Sequence, residues 1–110
     1  MECLFCKITQ KEIPTPIIFE NDDLMVFPDI HPINNTHWLI VPKKHVESIK
    51  TLDETQGDDQ LVAKLFLTAR DLAKKHGLEG YKAHFNVGKT GGQEIPHLHL
   101  HLSSVHKAKL

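Results

Sequence analysis

The chain lacks the features that would point to a membrane or a nucleic-acid partner. No apolar run approaches the roughly 20 residues that a membrane-spanning helix requires. Residues 1–10 contain no basic stretch followed by a long apolar core, so they do not resemble a secretory signal. The net charge is only −1 with histidines neutral, whereas proteins that coat nucleic acid or bind anionic lipid usually carry a positive excess. We therefore predict a soluble, cytoplasmic protein that binds neither nucleic acid nor membrane.

Cysteine is also scarce, and the two that occur, Cys3 and Cys6, are three positions apart. In a reducing compartment, a Cys-x-x-Cys pair is more typical of a metal half-site or a redox pair than of a structural disulfide. Repeats and low-complexity segments are absent, and a length of 110 residues suits one domain. We predict a single domain over residues 1–110, small enough for a dimer interface to supplement its core.

Histidine, by contrast, is plentiful: the chain has nine, and three of them are His97, His99 and His101. Alternate side chains of a strand share one face, so a strand over 97–102 would present the three imidazoles together and bury the leucines that alternate with them. Imidazole titrates near neutrality and can act as nucleophile, acid, base or metal ligand. Neighbouring histidines would stand about 6.6 Å apart, so one metal ion could bind two of them but not easily all three.

A glycine-rich loop precedes this strand, with three glycines between Gly88 and Gly92. Glycines allow backbone amides to approach an anion closely, as in phosphate-binding loops. Beside a row of histidines, such a loop indicates a phosphate held next to a nucleophile.

The rest of the chain favours an α+β fold. Apolar runs at 17–20 and 24–27, separated by the turn residues 21–23, predict a hairpin. A buried strand is predicted at 36–41 and another at 81–87. From Asp58 the apolar spacing becomes helical, and Gly77 suits the position just past the end of that helix. We expect an antiparallel sheet of about five strands with one long helix packed on it.

The alternation of histidine with leucine over 97–102 resembles the defining pattern of the histidine triad (HIT) superfamily. Further blocks agree in order, so the resemblance extends from about residue 3 to residue 102; they are Phe27-Pro28-Asp29-Ile30, 36–45, and 86–93. The chain is most similar to the histidine triad nucleotide-binding branch, whose members hydrolyse purine nucleoside phosphoramidates and nucleotidyl-lysine-type adducts. The resemblance implies a HIT-like fold and a homodimer whose two sheets join into one.

The resemblance also implies roles for individual residues. His99 would be the nucleophile that forms a nucleotidyl-histidine intermediate, which water then resolves, since neutral imidazole is both a good nucleophile and a good leaving group. His101 would contact phosphate oxygens or the leaving group and assist proton transfer. Asp29 would accept hydrogen bonds from the ribose hydroxyls. The apolar side chains would line the base pocket, with plain core packing as the alternative. The nucleotide-binding residues implied are Phe5, Ile8, Phe27, Asp29, Ile30, Asn86, Gly92 and Gln93.

The resemblance also implies a zinc site that includes His97, the first of the three alternating histidines. Cys3 and Cys6 have a spacing suited to zinc, and with His45 and His97 they could form a tetrahedral Cys₂His₂ site. Some family members with this cysteine pair bind a structural Zn²⁺, which would make His97 a ligand beneath the nucleophile. The alternative is two partly buried thiols and a hydrogen bond between the two histidines.

Two departures from the family pattern leave the leaving group open. Glu94 stands where the nucleotide-binding branch often has a serine or threonine, and a carboxylate there would repel an anionic phosphate, so we assign it no catalytic role. Residues 103–106 replace the glycines of many relatives. Three alternatives remain open: a dinucleoside polyphosphate hydrolase, which prefers a nucleotide leaving group, a non-catalytic nucleotide-binding regulatory module, and a metal-binding protein that uses all three histidines.

Overall fold

A five-stranded antiparallel sheet lies at the centre of the computed structural model, which describes residues 3–110. The strand order is β1-β2-β3-β5-β4. Met1 and Glu2, the first residues of the predicted domain, lie outside the described residues. The predicted α+β class, with about five strands and one long helix, is confirmed. The elements are α1 Leu4–Thr9, β1 Phe19–Glu20, β2 Leu24–Pro28, β3 Thr36–Pro42, α2 Asp58–Lys75, β4 Lys82–His84 and β5 Leu100–Ser104, with single 3₁₀ turns at Ile49–Thr51, Glu54–Gln56 and Lys89–Gly91.

Local sequence signals set the ends of several elements. The Asn21 side chain accepts hydrogen bonds from the backbone N–H groups of Asp23 and Leu24 at 2.9 and 3.0 Å, which forms the predicted turn of the first hairpin. Helix α2 begins at Asp58, as predicted, and Gly77 follows its C-terminus with φ of 73°. Positive φ favours glycine, because a Cβ is strained in that conformation.

The two faces of the sheet carry two separate cores. Helix α2 packs on one face against a cluster that includes all three leucines of 97–102. Helix α1 covers the other face, where Phe5 and Ile8 pack with Phe27 and Leu39. The histidine–leucine alternation therefore separates the two residue types as predicted: leucines face α2, and the histidines face the side of α1.

The last two strands differ from their predicted bounds. Strand β4 covers only 82–84 of the predicted 81–87, and β5 begins at Leu100 rather than at residue 97. The reason lies in the pairing: the ladder to β3 ends at Ile40 opposite Leu100, and the N–H of Leu98 instead donates to the Val46 carbonyl at 2.7 Å. His97 and His99 thus lie in the extended segment that leads into β5.

Between residues 3 and 110, no helix is both long and apolar enough to cross a membrane. The joining of two sheets across a homodimer stays a prediction.

Candidate functional site

An open cavity of about 350 Å³ lies on the α1 face of the sheet, between α1, the end of β2 and the histidine segment. The structure brings nine of the ten predicted catalytic and nucleotide-binding residues into its wall: Phe5, Ile8, Phe27, Asp29, Ile30, Asn86, Gly92, His99 and His101. Phe5 and Ile8 of α1 also belong to the core. These two side chains therefore both line the cavity and pack in the core. Gln93 lines a neighbouring cavity instead.

His99 is buried in this wall, and one of its two ring nitrogens forms a hydrogen bond with the backbone. Its Nδ1 lies 2.6 Å from the backbone carbonyl of His97. A carbonyl can only accept, so Nδ1 carries the proton and Nε2 keeps its lone pair. Burial lowers the pKa of His99 below its ordinary 6.5, and the ring of Phe5 meets it edge-on at 5.1 Å. The result is a neutral, fixed imidazole with one free nitrogen, the form that a nucleophile requires.

His101 is oriented by a histidine that the sequence analysis did not assign, His37 on β3. The backbone N–H of Ile33 donates to His37 Nδ1 at 3.2 Å, so neutral His37 carries its proton on Nε2. That Nε2–H donates to His101 Nδ1 at 2.9 Å, and the proton of His101 therefore sits on Nε2. Asn86 Nδ2 lies 3.4 Å from this nitrogen, and with the amide turned so that Oδ1 faces the ring, Asn86 accepts a hydrogen bond from Nε2–H. The signal for His37 was available: it is the single ionisable side chain in the strand 36–42.

Asp29 completes this group at the rim of the cavity. One of its carboxylate oxygens accepts the N–H of His31 at 2.9 Å, and the other lies 3.5 Å from His37 Nε2. Asp29, His37 and His101 are close enough to hold a metal ion. A metal would need the lone pair of His37 Nε2, however, and the hydrogen bond from Ile33 places a proton on that atom. The group therefore forms a chain of hydrogen bonds rather than a metal site.

His97 belongs to a second cluster, with all three of its other predicted ligands. Its Nδ1 lies 3.3 Å from Cys3 Sγ, 3.6 Å from Cys6 Sγ and 3.2 Å from His45 Nδ1, and Cys6 Sγ lies 3.3 Å from His45 Nδ1. The other nitrogen, Nε2, donates to the Pro42 carbonyl at 2.8 Å, so the Nδ1 lone pair points into the cluster. Tetrahedral zinc would set S···N at about 3.5 Å and N···N at about 3.3 Å. The four donors thus fit zinc.

The glycine loop is built differently from a phosphate-binding loop. The N–H groups of Gly88, Gly91, Gly92 and Gln93 all have partners within the loop. The Gln93 side chain accepts from Gly88 N–H at 3.0 Å and donates to the carbonyls of Glu47 and Ile95 at 2.8 and 3.0 Å. Both polar atoms of its amide therefore bond to the backbone, and Gln93 braces the loop; its contact with a nucleotide stays a prediction. Glu94 is exposed and lines both cavities.

The triad histidines are thus divided among different tasks. His97 lies in the cysteine cluster, His101 lies in the hydrogen-bonded chain, and His99 belongs to neither group of possible metal ligands found within 3–110. This division disfavours the alternative in which one metal uses all three.

Comparison with known proteins gives consistent matches. The family model described as "Scavenger mRNA decapping enzyme C-term binding" matches residues 2–110. Protein HitA of Neisseria gonorrhoeae is 40% identical over 101 residues, which cover 91% of this chain and 92% of that protein. The crystal structure of a HIT family hydrolase from Legionella pneumophila is 44% identical, with a TM-score of 0.90 and coverage of 96% and 95%. A histidine triad nucleotide-binding protein from Candida albicans is 30% identical, with a TM-score of 0.81 and coverage of 92% and 73%.

Proposed function

Because this chain belongs to the histidine triad superfamily, through the family whose model it matches over residues 2–110, we propose that it hydrolyses nucleoside monophosphates joined to an amine. The substrate class is the purine nucleoside phosphoramidates and nucleotidyl adducts. The neighbour named a HIT family hydrolase supports hydrolysis, and the neighbour named a nucleotide-binding protein supports a nucleotide ligand.

The observation that carries the proposal is the free Nε2 of His99 in the cavity wall. In the first step this lone pair attacks the α-phosphorus, the N–P bond forms, and the bond to the amine breaks. The amine leaves with the bonding electrons and takes a proton from solvent water in the open cavity. In the second step water attacks phosphorus and the N–P bond breaks, with its electrons returning to Nε2 of His99; the proton that this water loses neutralises the hydroxide left in the first step, and the nucleoside monophosphate is released.

The neighbouring groups suit the remaining parts of such a substrate. His101 lines the cavity and carries its proton on Nε2, and this N–H would donate, in place of its long contact with Asn86, to a phosphoryl oxygen whose charge grows in the transition state. Asp29 keeps lone pairs free for ribose hydroxyls, since a carboxylate offers about four acceptor positions. The apolar wall made by Phe5, Ile8 and Phe27 would hold the base.

We further propose a structural Zn²⁺ at Cys3, Cys6, His45 and His97. The support is the match between the observed donor distances and tetrahedral zinc, together with the outward hydrogen bond of His97 to Pro42. When bound, the ion would supply a cross-link between α1 and the segment that carries His99, and no chemical step.

Turnover of an adenosine phosphoramidate by the wild type, His99→Ala and His106→Ala tests the proposal. His106 is an exposed histidine outside the cavity and serves as the matched control. We expect His99→Ala to lower kcat by about 10³-fold or more with adenosine monophosphate affinity retained, and His106→Ala to match the wild type. Acid quenching with labelled substrate should trap the label on His99.

Two outcomes would replace the proposal. Faster cleavage of diadenosine polyphosphates than of the phosphoramidate would favour the dinucleoside polyphosphate hydrolase. Nucleotide binding with no turnover of either substrate would favour the regulatory module.

A further inference from the structure

One of the nine histidines, His84, lies beside the site but does not line its cavity. On the edge strand β4, His84 is paired in register with His101 on β5. The two imidazoles are stacked, with centroids 4.8 Å apart and planes inclined by only 8°. His84 is half-buried and is not among the side chains that line the cavity, so a bound substrate would not contact it.

No hydrogen bond explains why a histidine occupies this position. His84 Nδ1 is buried and has no hydrogen-bond partner anywhere in the described chain. A buried polar atom without a partner costs free energy, commonly about 1–3 kcal/mol. An apolar side chain at this position of the edge strand would avoid that cost. The stack of the ring on His101 is therefore the contact that we use to explain the presence of histidine here.

The stack on His84 restricts the orientation of the His101 ring plane, which the hydrogen bonds of His101 do not fix. His37 holds His101 through a single atom, Nδ1, and one such bond allows the ring to swing about it. The contact with the Asn86 amide on the far side is long, at 3.4 Å. A flat partner against the ring face restricts that swing. Burial lowers the pKa of both rings below 6.5, and that of His101 to about 4, so the two stack without charge repulsion near pH 7.

We propose that His84 is a positioning residue that keeps the plane of the His101 ring aligned so that Nε2–H faces the reacting phosphoryl group. This inference rests on the proposed function. It assigns to His84 a contribution that depends on the shape of the ring, because its buried Nδ1 has no hydrogen-bond partner within residues 3–110 and its ring stacks on His101.

The test compares His84→Ala, which removes the stack, with His84→Phe, which keeps a flat ring. We expect His84→Ala to lower kcat by about 10-fold with KM within about two-fold, because misalignment weakens an interaction made chiefly in the transition state. We expect His84→Phe to restore kcat to within about three-fold. Phe85→Leu is the control: Phe85 adjoins β4 but packs against Phe66 of α2, on the other core. It should lower Tm and leave kcat unchanged.

A second readout does not require turnover. In the free protein, ¹³C relaxation of the His101 ring should show a lower order parameter in His84→Ala than in the wild type or His84→Phe. Absence of wild-type turnover with the expected relaxation difference would reject the proposed function and leave only the alignment of the His101 ring by His84. Equal relaxation in all three proteins, an unchanged kcat in His84→Ala, or a Phe variant as slow as Ala would overturn the positioning role.

Discussion

Helix α1 links the cysteine cluster to the nucleotide cavity, and this link makes zinc removal an informative perturbation. Cys3 is the N-cap of the helix and Cys6 lies in its first turn, while Phe5 and Ile8 of the same helix form part of the cavity wall. Phe5 is only 4% exposed and meets the rings of His97 and His99 edge-on at 5.9 and 5.1 Å. We predict that loss of zinc lowers both the thermal stability and the affinity for adenosine monophosphate.

The size of the stability change follows from binding linkage. An ion that binds only the folded chain at 100 times its Kd contributes about 2.7 kcal/mol. For a chain of 110 residues, each kcal/mol corresponds to about 4–6 °C in Tm. Zinc at that concentration should therefore raise Tm by about 11–16 °C. Two of the four ligands are buried, since Cys3 is 8% exposed and His97 is 0% exposed, whereas Cys6 is half-buried and His45 is exposed, so zinc would bind at the edge of the α1 core.

The assay is thermal unfolding of protein treated with chelator, with and without added Zn²⁺, followed by calorimetric titration with adenosine monophosphate. Cys6→Ser removes one ligand and should abolish most of the zinc-dependent shift, whereas His106→Ala, an exposed histidine outside the cluster, should keep it. A shift below about 2 °C in the wild type, or an equal shift in Cys6→Ser, would refute the reasoning.

Two further predictions concern the loop and the start of α2. Gly92→Ala should lower the free energy of unfolding by about 1–2 kcal/mol, because φ at this position is 88°. The control is Gly91→Ala, at a position with open space and no positive φ, and it should lower the free energy of unfolding by less. Equal losses of unfolding free energy for the two variants in urea would contradict this prediction. The hydrogen bond from Lys44 is the main cause that lowers the pKa of Asp58 below 3.8. The ionised form of Asp58 therefore stabilises the fold above about pH 4, and this contribution is lost as the pH falls through the lowered pKa. The Tm difference between wild type and Asp58→Asn should therefore shrink on acidification toward pH 3, while the exposed Asp71→Asn should show little difference at any pH.

Some interactions at the site could not be predicted because they cross between strands. His37, His84 and His101 lie on β3, β4 and β5, and no spacing along the chain relates them. Their rings meet only because the strand registers bring them together. Gln93 is a similar case: its residue type suits a ligand contact, but the fold surrounds its amide with three backbone groups that use both of its N–H donors and one lone pair of its oxygen.

By itself the sequence determined the face on which each member of the 97–102 segment lies and the start of α2 at Asp58. These follow from period-two alternation and helical periodicity, which are local properties. Of the four candidate zinc ligands, residue spacing indicated only Cys3 and Cys6, and the family resemblance implied His45 and His97. Only the tertiary structure decided where β5 begins and which nitrogen of His99 is free. Both depend on backbone carbonyls, those of Val46 and His97, whose positions arise from long-range packing rather than from side-chain type.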